Sequence, residues 1–416
     1  MPDDAATGTP PAEAETVAHP APARRPRDRR DTILAVAAEL FAERGFAAVG
    51  VADIAERVGI TGGAIYRHFP SKDAVLEAVT LATAEAFVGA SRVGKRSRAA
   101  DDSEESLQRM IADVLRLTFD RPAHLATYLR ERHRLDATRR RELARHEGRM
   151  FELWAEAIRA ARPDLDRAGI AVRQQALNGA VSAIALRRSS LSRLRLEELL
   201  GEAGLAVLLV PTRPTQVAKP PAGVAWLPPC SRRDLILAAA LRLFRERGFH
   251  GAGMDDIGEA AGISGPAIYA SYASKADILI DAYDRAAARV AVGSENALAA
   301  ARSAPDALRR LARSYVEVAS DNVDLLLVTS REGHALPEAE RPRLSRRRRG
   351  FRDTWSAVLR EARPELSEAE SRTLVAGVFP LVNQVAQHRR ADSPTIDEVV
   401  DLAEAFVLGS QHAHRS

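Results

Sequence analysis

The stretch GITGGAIYRHFPSKDAVL, Gly59 to Leu76, returns later in the chain as GISGPAIYASYASKADIL, Gly262 to Leu279. The copy extends outward from there. Asp31 to Val79 aligns without a gap to Asp234 to Ala282, and Phe41/Phe244, Gly59/Gly262, Tyr66/Tyr269 and Lys72/Lys275 each lie 203 positions apart. A repeat of this length is a duplicated domain, far longer than one unit of a solenoid.

The repeated segment has helical punctuation. From Asp31 to Arg44, Ile33, Val36, Ala37, Leu40 and Phe41 recur at helical spacing and define one apolar face. Gly45 stands where a left-handed cap is wanted. A short helix is predicted over Val51 to Val58 with Ile54, Ala55 and Val58 inward. Gly59-Ile60 makes the turn, and a second short helix follows from Gly62 to His68 with Ile65 and Phe69 inward. Ser71 is placed to cap the helix that begins at Lys72. Such a unit suits a recognition helix in the major groove, its N-terminal residues at the base edges. Gly62 and Gly63 permit close backbone approach. Tyr66 and Arg67 supply hydrogen bonds, arginine being the usual reader of guanine, while His68 and Lys72 would hold phosphates.

These residues resemble the signature of the TetR family of bacterial transcriptional regulators, with Gly262 to Leu279 as a weaker copy. The resemblance implies an all-α fold: two tandem units, each an N-terminal three-helix head followed by a helical ligand-binding and dimerisation domain. By the same resemblance, bases would be read by Gly62, Gly63, Tyr66 and Arg67, and phosphates held by Thr61, Tyr66, His68 and Lys72. The matching positions in the second head are Ser264, Gly265, Pro266, Tyr269 and Lys275. There Ala270 replaces Arg67, Ser271 replaces His68, Ala260 replaces Arg57 and Tyr272 replaces Phe69. Each lost charged contact weakens DNA binding by on the order of 1–3 kcal/mol. Family members usually act as two-fold dimers that repress transcription until a small molecule spreads the heads apart.

The duplication continues past the heads at a shift of 201: Glu131/Glu332, His133/His334, Trp154/Trp355, Arg162/Arg363 and Leu165/Leu366. The expected organisation is a basic, disordered tail over 1–27 and a head over 28–80, followed by a helical domain over 81–210. A Pro-rich linker over 211–229, a second head over 230–283 and a second helical domain over 284–410 complete it. Arg24, Arg25, Arg27, Arg29 and Arg30 form a basic arm, read either as a solvated tail or as a segment that follows DNA phosphates. The apolar stretches Ala176–Leu186, Leu374–Val385, Leu196–Val210 and Val399–Leu408 are candidates for an interface between the halves. Through it one chain would act as a pseudo-dimer on an operator with unequal half-sites. A dimer of chains is the alternative assembly.

For an effector, Glu131, His133, Glu332 and His334 are the candidate ligand residues, flanked by Arg130, Arg134 and Arg331. Glu and His two positions apart point to different helix faces, which suits neither a metal nor an acid/base pair. The runs Arg346–Arg349 and Arg139–Arg141 read as solvated helix faces or as sites for anionic groups. Trp154 and Trp355 read as core. The effector is an unidentified small molecule, with a lipid-like compound or an acyl-CoA among the options.

Composition agrees with a helical, nucleic-acid-binding chain: 416 residues, 46% hydrophobic, 5% aromatic, 60 Lys plus Arg against 56 acids and a net charge of +4. The single cysteine, Cys230, permits no internal disulfide and no thiolate zinc site. Apolar runs are short and the first twenty residues lack a leader-like core, so a cytoplasmic, nucleoid-associated protein without membrane partners is expected. There is no phosphate loop, metal spacing or serine elbow, so no catalytic residue, metal or cofactor is assigned and an enzyme is not expected. The other open reading is a ligand-binding or protein-interaction module whose second head no longer binds DNA.

Overall fold

A computed structural model describes residues 26–93, 103–187, 189–211, 231–387 and 394–409. All regular structure among the described residues is helical. The first half comprises α1 (Pro26–Arg44), α2 (Val51–Val58), α3 (Gly62–Tyr66), α4 (Lys72–Val93), α5 (Ser103–Asp120), α6 (Pro122–Glu131), α7 (Ala137–Ala161), α8 (Arg167–Ala185) and α9 (Arg193–Leu209). The second half repeats the order: α10 (Arg232–Gly251), α11 (Met254–Ala261), α12 (Gly265–Tyr269), α13 (Lys275–Ala299), α14 (Ala304–Asp321), α15 (Val323–Arg331), α16 (Arg341–Ala362), α17 (Glu368–Gln387) and α18 (Ile396–Leu408). The fold is all-α, two tandem units of one plan.

Each head closes on the face read from its sequence. Ile33, Ala37, Leu40 and Phe41 of α1 are buried against Ile54, Ile65, Phe69 and Val75. Gly59 adopts φ 75°, ψ 39° and Gly262 φ 66°, ψ 31°, the left-handed region that a side chain with a Cβ resists. Gly45 also has positive φ, 80°, but its ψ of 152° is extended rather than helical, so it redirects the chain instead of forming the expected left-handed cap. Ser71 caps as read, its hydroxyl accepting from the Ala74 amide at 3.1 Å.

The first helix begins at Pro26, so Arg29 and Arg30 are helical rather than part of a free arm. Arg30 lies over the Phe69 ring at 5.0 Å, and its counterpart Arg233 lies over Tyr272 at 4.1 Å. Cation–π contact therefore assigns Arg30 to the head's own packing. Arg24, Arg25, most of the 211–229 linker and Cys230 lie outside the described residues. Contrary to the expectation of short apolar runs, Lys72–Arg92 is long and apolar enough to cross a membrane by length and composition. Here that helix packs against α5, α6 and α7, burying Val75, Leu76, Val79 and Val88.

The most extensive helix pairing joins the two halves: α8 lies on α17, and α9 lies on α18. Those are the four stretches singled out as an interface. Gly179 of α8 and Pro380 of α17 occupy equivalent positions at the 201 shift, and they meet. A Cβ built on Gly179 would stand 2.6 Å from the Pro380 carbonyl oxygen. Likewise Gly377 admits Ile184 of the other half, 2.9 Å from where its Cβ would be. Contact of a position with its own equivalent is the mark of an isologous, two-fold arrangement. Polar contacts frame the seam: Arg195 donates to Glu370 at 2.5 Å, and the buried Arg173 (1% exposed) lies 3.6 Å from Glu398. Within each half, Arg162 donates to the Leu209 and Val210 carbonyls, and its equivalent Arg363 to the Val407 carbonyl. The duplicated Arg-Pro thus fastens the end of each terminal helix.

Candidate nucleic-acid interface and effector cavity

Each head presents a short helix whose outer side is bare. Tyr66 is 55% exposed and Tyr269 54%, a poor arrangement for large aromatic rings unless a partner covers them. Gly62 and Gly63 have nothing within 4 Å of a built Cβ, so the backbone there is open to close approach. Thr61 and Ser264 sit at the N-caps of α3 and α12 without capping through their side chains, leaving both hydroxyls available to other partners. Arg67 is exposed and His68 half-buried beside Tyr66; Gly265 and Pro266 open the second helix. The structure therefore groups Thr61, Gly62, Gly63, Tyr66, Arg67 and His68 at one end of the first half, and Ser264, Gly265, Pro266 and Tyr269 likewise in the second.

Both lysines have a structural role that the sequence did not announce. Lys72 donates to the Phe46 carbonyl at 2.9 Å, with its ammonium 4.2 Å from the Phe46 ring centre. Lys275 donates to the carbonyls of Phe249 (2.7 Å), Ala252 (2.9 Å) and His250 (3.5 Å) and lies 4.6 Å from the Phe249 ring. An ammonium has three donors. Lys275 spends all three on its own head, so its first role is structural, and Lys72 keeps at most two for a phosphate.

The first head is fastened to the helical body through α6. Thr127 donates to the Ala38 carbonyl at 3.0 Å, and Arg130 to the Ala42 carbonyl at 2.8 Å. Glu131, 7% exposed, accepts the Phe46 amide at 3.2 Å and Arg134 at 2.7 Å. Glu131 and His133 both lie on the wall of the central cavity, but the Glu131 carboxylate is already engaged and couples head to body. His133 is exposed on the Arg132–Arg134 turn rather than paired with it. In the second half, Arg331 donates to Gln387 at 2.7 Å, and Arg245 of α10 pairs with Asp324 of α15 at 3.2 Å. Glu332 lies on the cavity wall; the His334 side chain is outside the described residues. Among the described residues no three His, Cys, Asp or Glu side chains gather for a metal.

Between the halves lies one continuous cavity of about 1960 Å³, walled by α4 to α8 of the first half and α13 to α17 of the second. It reaches the C-terminal ends of α1 and α10, where the heads attach. Trp154 is on its wall, its indole donating to Ser91 at 3.0 Å, whereas Trp355 is core, packed edge-on to Phe351 and Phe379. Arg347 and Arg348 of the arginine run border the cavity while remaining solvent-exposed, and Arg347 pairs with Asp284 at 2.6 Å, so the run is a solvated face that also meets the cavity. Arg139, Arg140 and Arg141 are occupied by Glu77, Glu142 and nearby carbonyls. Sequence reading missed Arg187 and Arg352, which reach the same wall. The available signal was the 201 shift, which sets Arg348 and Arg352 against Glu147 and Phe151.

The profile of bacterial regulatory proteins of the tetR family matches residues 33–79 and again 236–282, and a tetracyclin repressor-like C-terminal domain matches 301–403. Two N-terminal units of the TetR family therefore lie in tandem in this chain, the second followed by a family C-terminal domain. It is 47% identical over 55 residues to the transcriptional repressor KstR2 of Mycolicibacterium smegmatis, 13% of this chain and 27% of that one. It is 36% identical over 98 residues to the transcriptional activator FasR of the same organism, 24% of this chain and 43% of that one. The matches thus span less than half the length of these relatives. Among solved structures, the regulator PfmR from Thermus thermophilus aligns over 46% of this chain and 100% of its own, with 23% identity and a TM-score of 0.39.

Proposed function

We propose that the protein is a sequence-specific DNA-binding transcriptional regulator, not an enzyme, acting in the cytoplasm at the nucleoid. One chain supplies both heads of a pseudo-dimer, and a small molecule in the central cavity sets their separation. The observation that carries this reading is the pairing of α8 with α17 through the equivalent positions Gly179 and Pro380, in a chain that exposes Tyr66 and Tyr269 on two recognition helices. Fusion replaces a concentration-dependent association by a high local concentration and lets the heads diverge. The operator then has unequal half-sites about one DNA turn, 34–36 Å, or a multiple apart. The family includes named repressors and activators; repression is the direction we adopt, since a cavity reaching both head junctions lets an effector release the DNA.

A second reading rests on Ala270 and Ser271, which stand where the first head has Arg67 and His68. In it the second head keeps the fold but not DNA affinity. Footprinting of the full chain on its own upstream intergenic DNA separates the two, using wild type, Tyr66→Ala and Tyr269→Ala. Weakening by both variants over two unequal half-sites supports the pseudo-dimer. Weakening by Tyr66→Ala alone supports a second head without DNA contact.

A further inference from the structure

The two walls of the cavity have diverged in charge at equivalent positions. Arg348 and Arg352 stand one turn apart on α16 and both line the cavity; the 201 shift places Glu147 and Phe151 at the matching points of α7. Glu147 is satisfied where it stands, accepting the Tyr128 hydroxyl and Arg132, the latter at 2.9 Å. The second wall has no such closure. Arg187, from the end of α8 in the first half, joins Arg348 and Arg352, and none of the three forms an ion pair with a carboxylate among the described residues. Burial, and then the neighbouring Arg187 and Arg348, pull Arg352 down to about 10; burial and Arg348 lower Arg187. Arg187 and Arg348 are solvent-exposed and Arg352 is half-buried, so three guanidiniums border the cavity with no carboxylate partner, and a bound anion would supply the missing counter-charge.

Beside the cations lies an aromatic surface. Phe351 and Phe379 are 5.2 Å apart, Tyr315 meets Phe379 edge-on at 4.9 Å, and the Arg352 guanidinium lies 5.9 Å from the Phe379 ring. Tyr283 lines the same cavity, and its buried hydroxyl has no hydrogen-bond partner.

Building on the effector cavity proposed above, we infer that this wall binds one amphipathic anion per chain. Its carboxylate or phosphate is held by Arg348, Arg352 and Arg187, and its apolar body lies on Phe351, Phe379 and Tyr315. The equivalent first-half wall, closed by Glu147, takes none. Because Arg187 belongs to the first half and the other two arginines to the second, the anion ties the halves together.

The test is calorimetric titration of the full chain with dodecanoate, dodecyl phosphate and the neutral dodecanol, below their aggregation limits. The expected result is one equivalent of an anion per chain, with dodecanol at least about tenfold weaker. Arg348→Gln and Arg352→Gln each weaken the anion by roughly tenfold or more and leave dodecanol unchanged, as expected when a charged hydrogen bond is lost. Arg346→Gln, on the same helix but off the cavity, leaves both unchanged. The preferred anion identifies the headgroup. Two equivalents per chain, equal affinity for dodecanol, or an unaffected Arg348→Gln/Arg352→Gln double variant overturns the inference. Gel-shift of the footprinted DNA separates it from the regulatory reading. Anion binding without any change in DNA affinity keeps this site and sinks the effector mechanism; DNA binding without anion affinity does the reverse.

Discussion

Substituting alanine at Gly179 places a methyl group where the halves touch most closely. Its Cβ would stand 2.6 Å from the Pro380 carbonyl oxygen and 2.7 Å from the Gln384 Cβ, on a buried helix of the other half. Ordinary contacts between such atoms fall at about 3.5–4.0 Å, so α17 must retreat by roughly 1 Å or α8 must turn. Overpacking of this kind costs about 1–3 kcal/mol. Alanine in a helix gains back about 0.5–1 kcal/mol over glycine, which leaves a net loss of about 0.5–2 kcal/mol. Gly148, on α7 with nothing within 4 Å of a built Cβ, is the control, since there only the helical gain operates. The pair is read from urea unfolding midpoints of the full chain. Gly179→Ala should lower the midpoint and Gly148→Ala should raise it. A Gly179→Ala chain as stable as wild type would refute the packing of α8 on α17 at this point.

Three further outcomes follow from the same geometry. Glu131→Ala removes the acceptor of the Phe46 amide and the partner of Arg134, so it loosens the first head by on the order of 1–3 kcal/mol. Hydrogen exchange at Phe46 should speed up while exchange at Phe249 does not, and equal change in both would contradict the coupling. Glu370 is held down to about 2 by the Ser367 hydroxyl and amide, and then by Arg195 across the seam. A folded pKa below the unfolded one means that its contribution is full above about 4.5 and lost as pH falls from there towards 2. Glu370→Gln should flatten the stability profile in that window; an unchanged acid limb would count against the contact. Lys275→Met should cost stability before it costs DNA affinity, because its donors serve the Phe249, His250 and Ala252 carbonyls. A variant that melts like wild type but loses DNA would restore the lysine to phosphate binding.

What the sequence made legible follows from local rules. Val51 to Val58 is a helix with those ends because Gly50 and Gly59 bracket it, and Gly50 donates to Asp53 while Gly59 takes positive φ. The four seam helices were legible because their apolar residues run around most of the helix, as burial on several sides requires. The structural role of Lys72 was not legible because a lysine opening an exposed-looking helix gives no hint of the Phe46 carbonyl and ring, 26 positions earlier, that hold it. The arginine wall was hidden for a related reason. A run of exposed arginines on a helix gives no sign that it borders a cavity until the register against another half is known, and Arg187 arrives from a different unit altogether. Glu131 illustrates a further limit. Its spacing to His133 drew attention to a ligand role, whereas its partner is the Phe46 amide, 85 positions earlier, which no local pattern announces.

The central claim is that one chain carries both DNA-reading heads of a functional unit. Native mass spectrometry of the 45.1 kDa chain on its footprinted duplex tests it directly. The account predicts one chain per duplex, with that stoichiometry unchanged at the lowest protein concentration that still gives a complex. Two chains per duplex, assembling cooperatively, would contradict it and make the second unit a partner in a larger assembly rather than the second half of the reader.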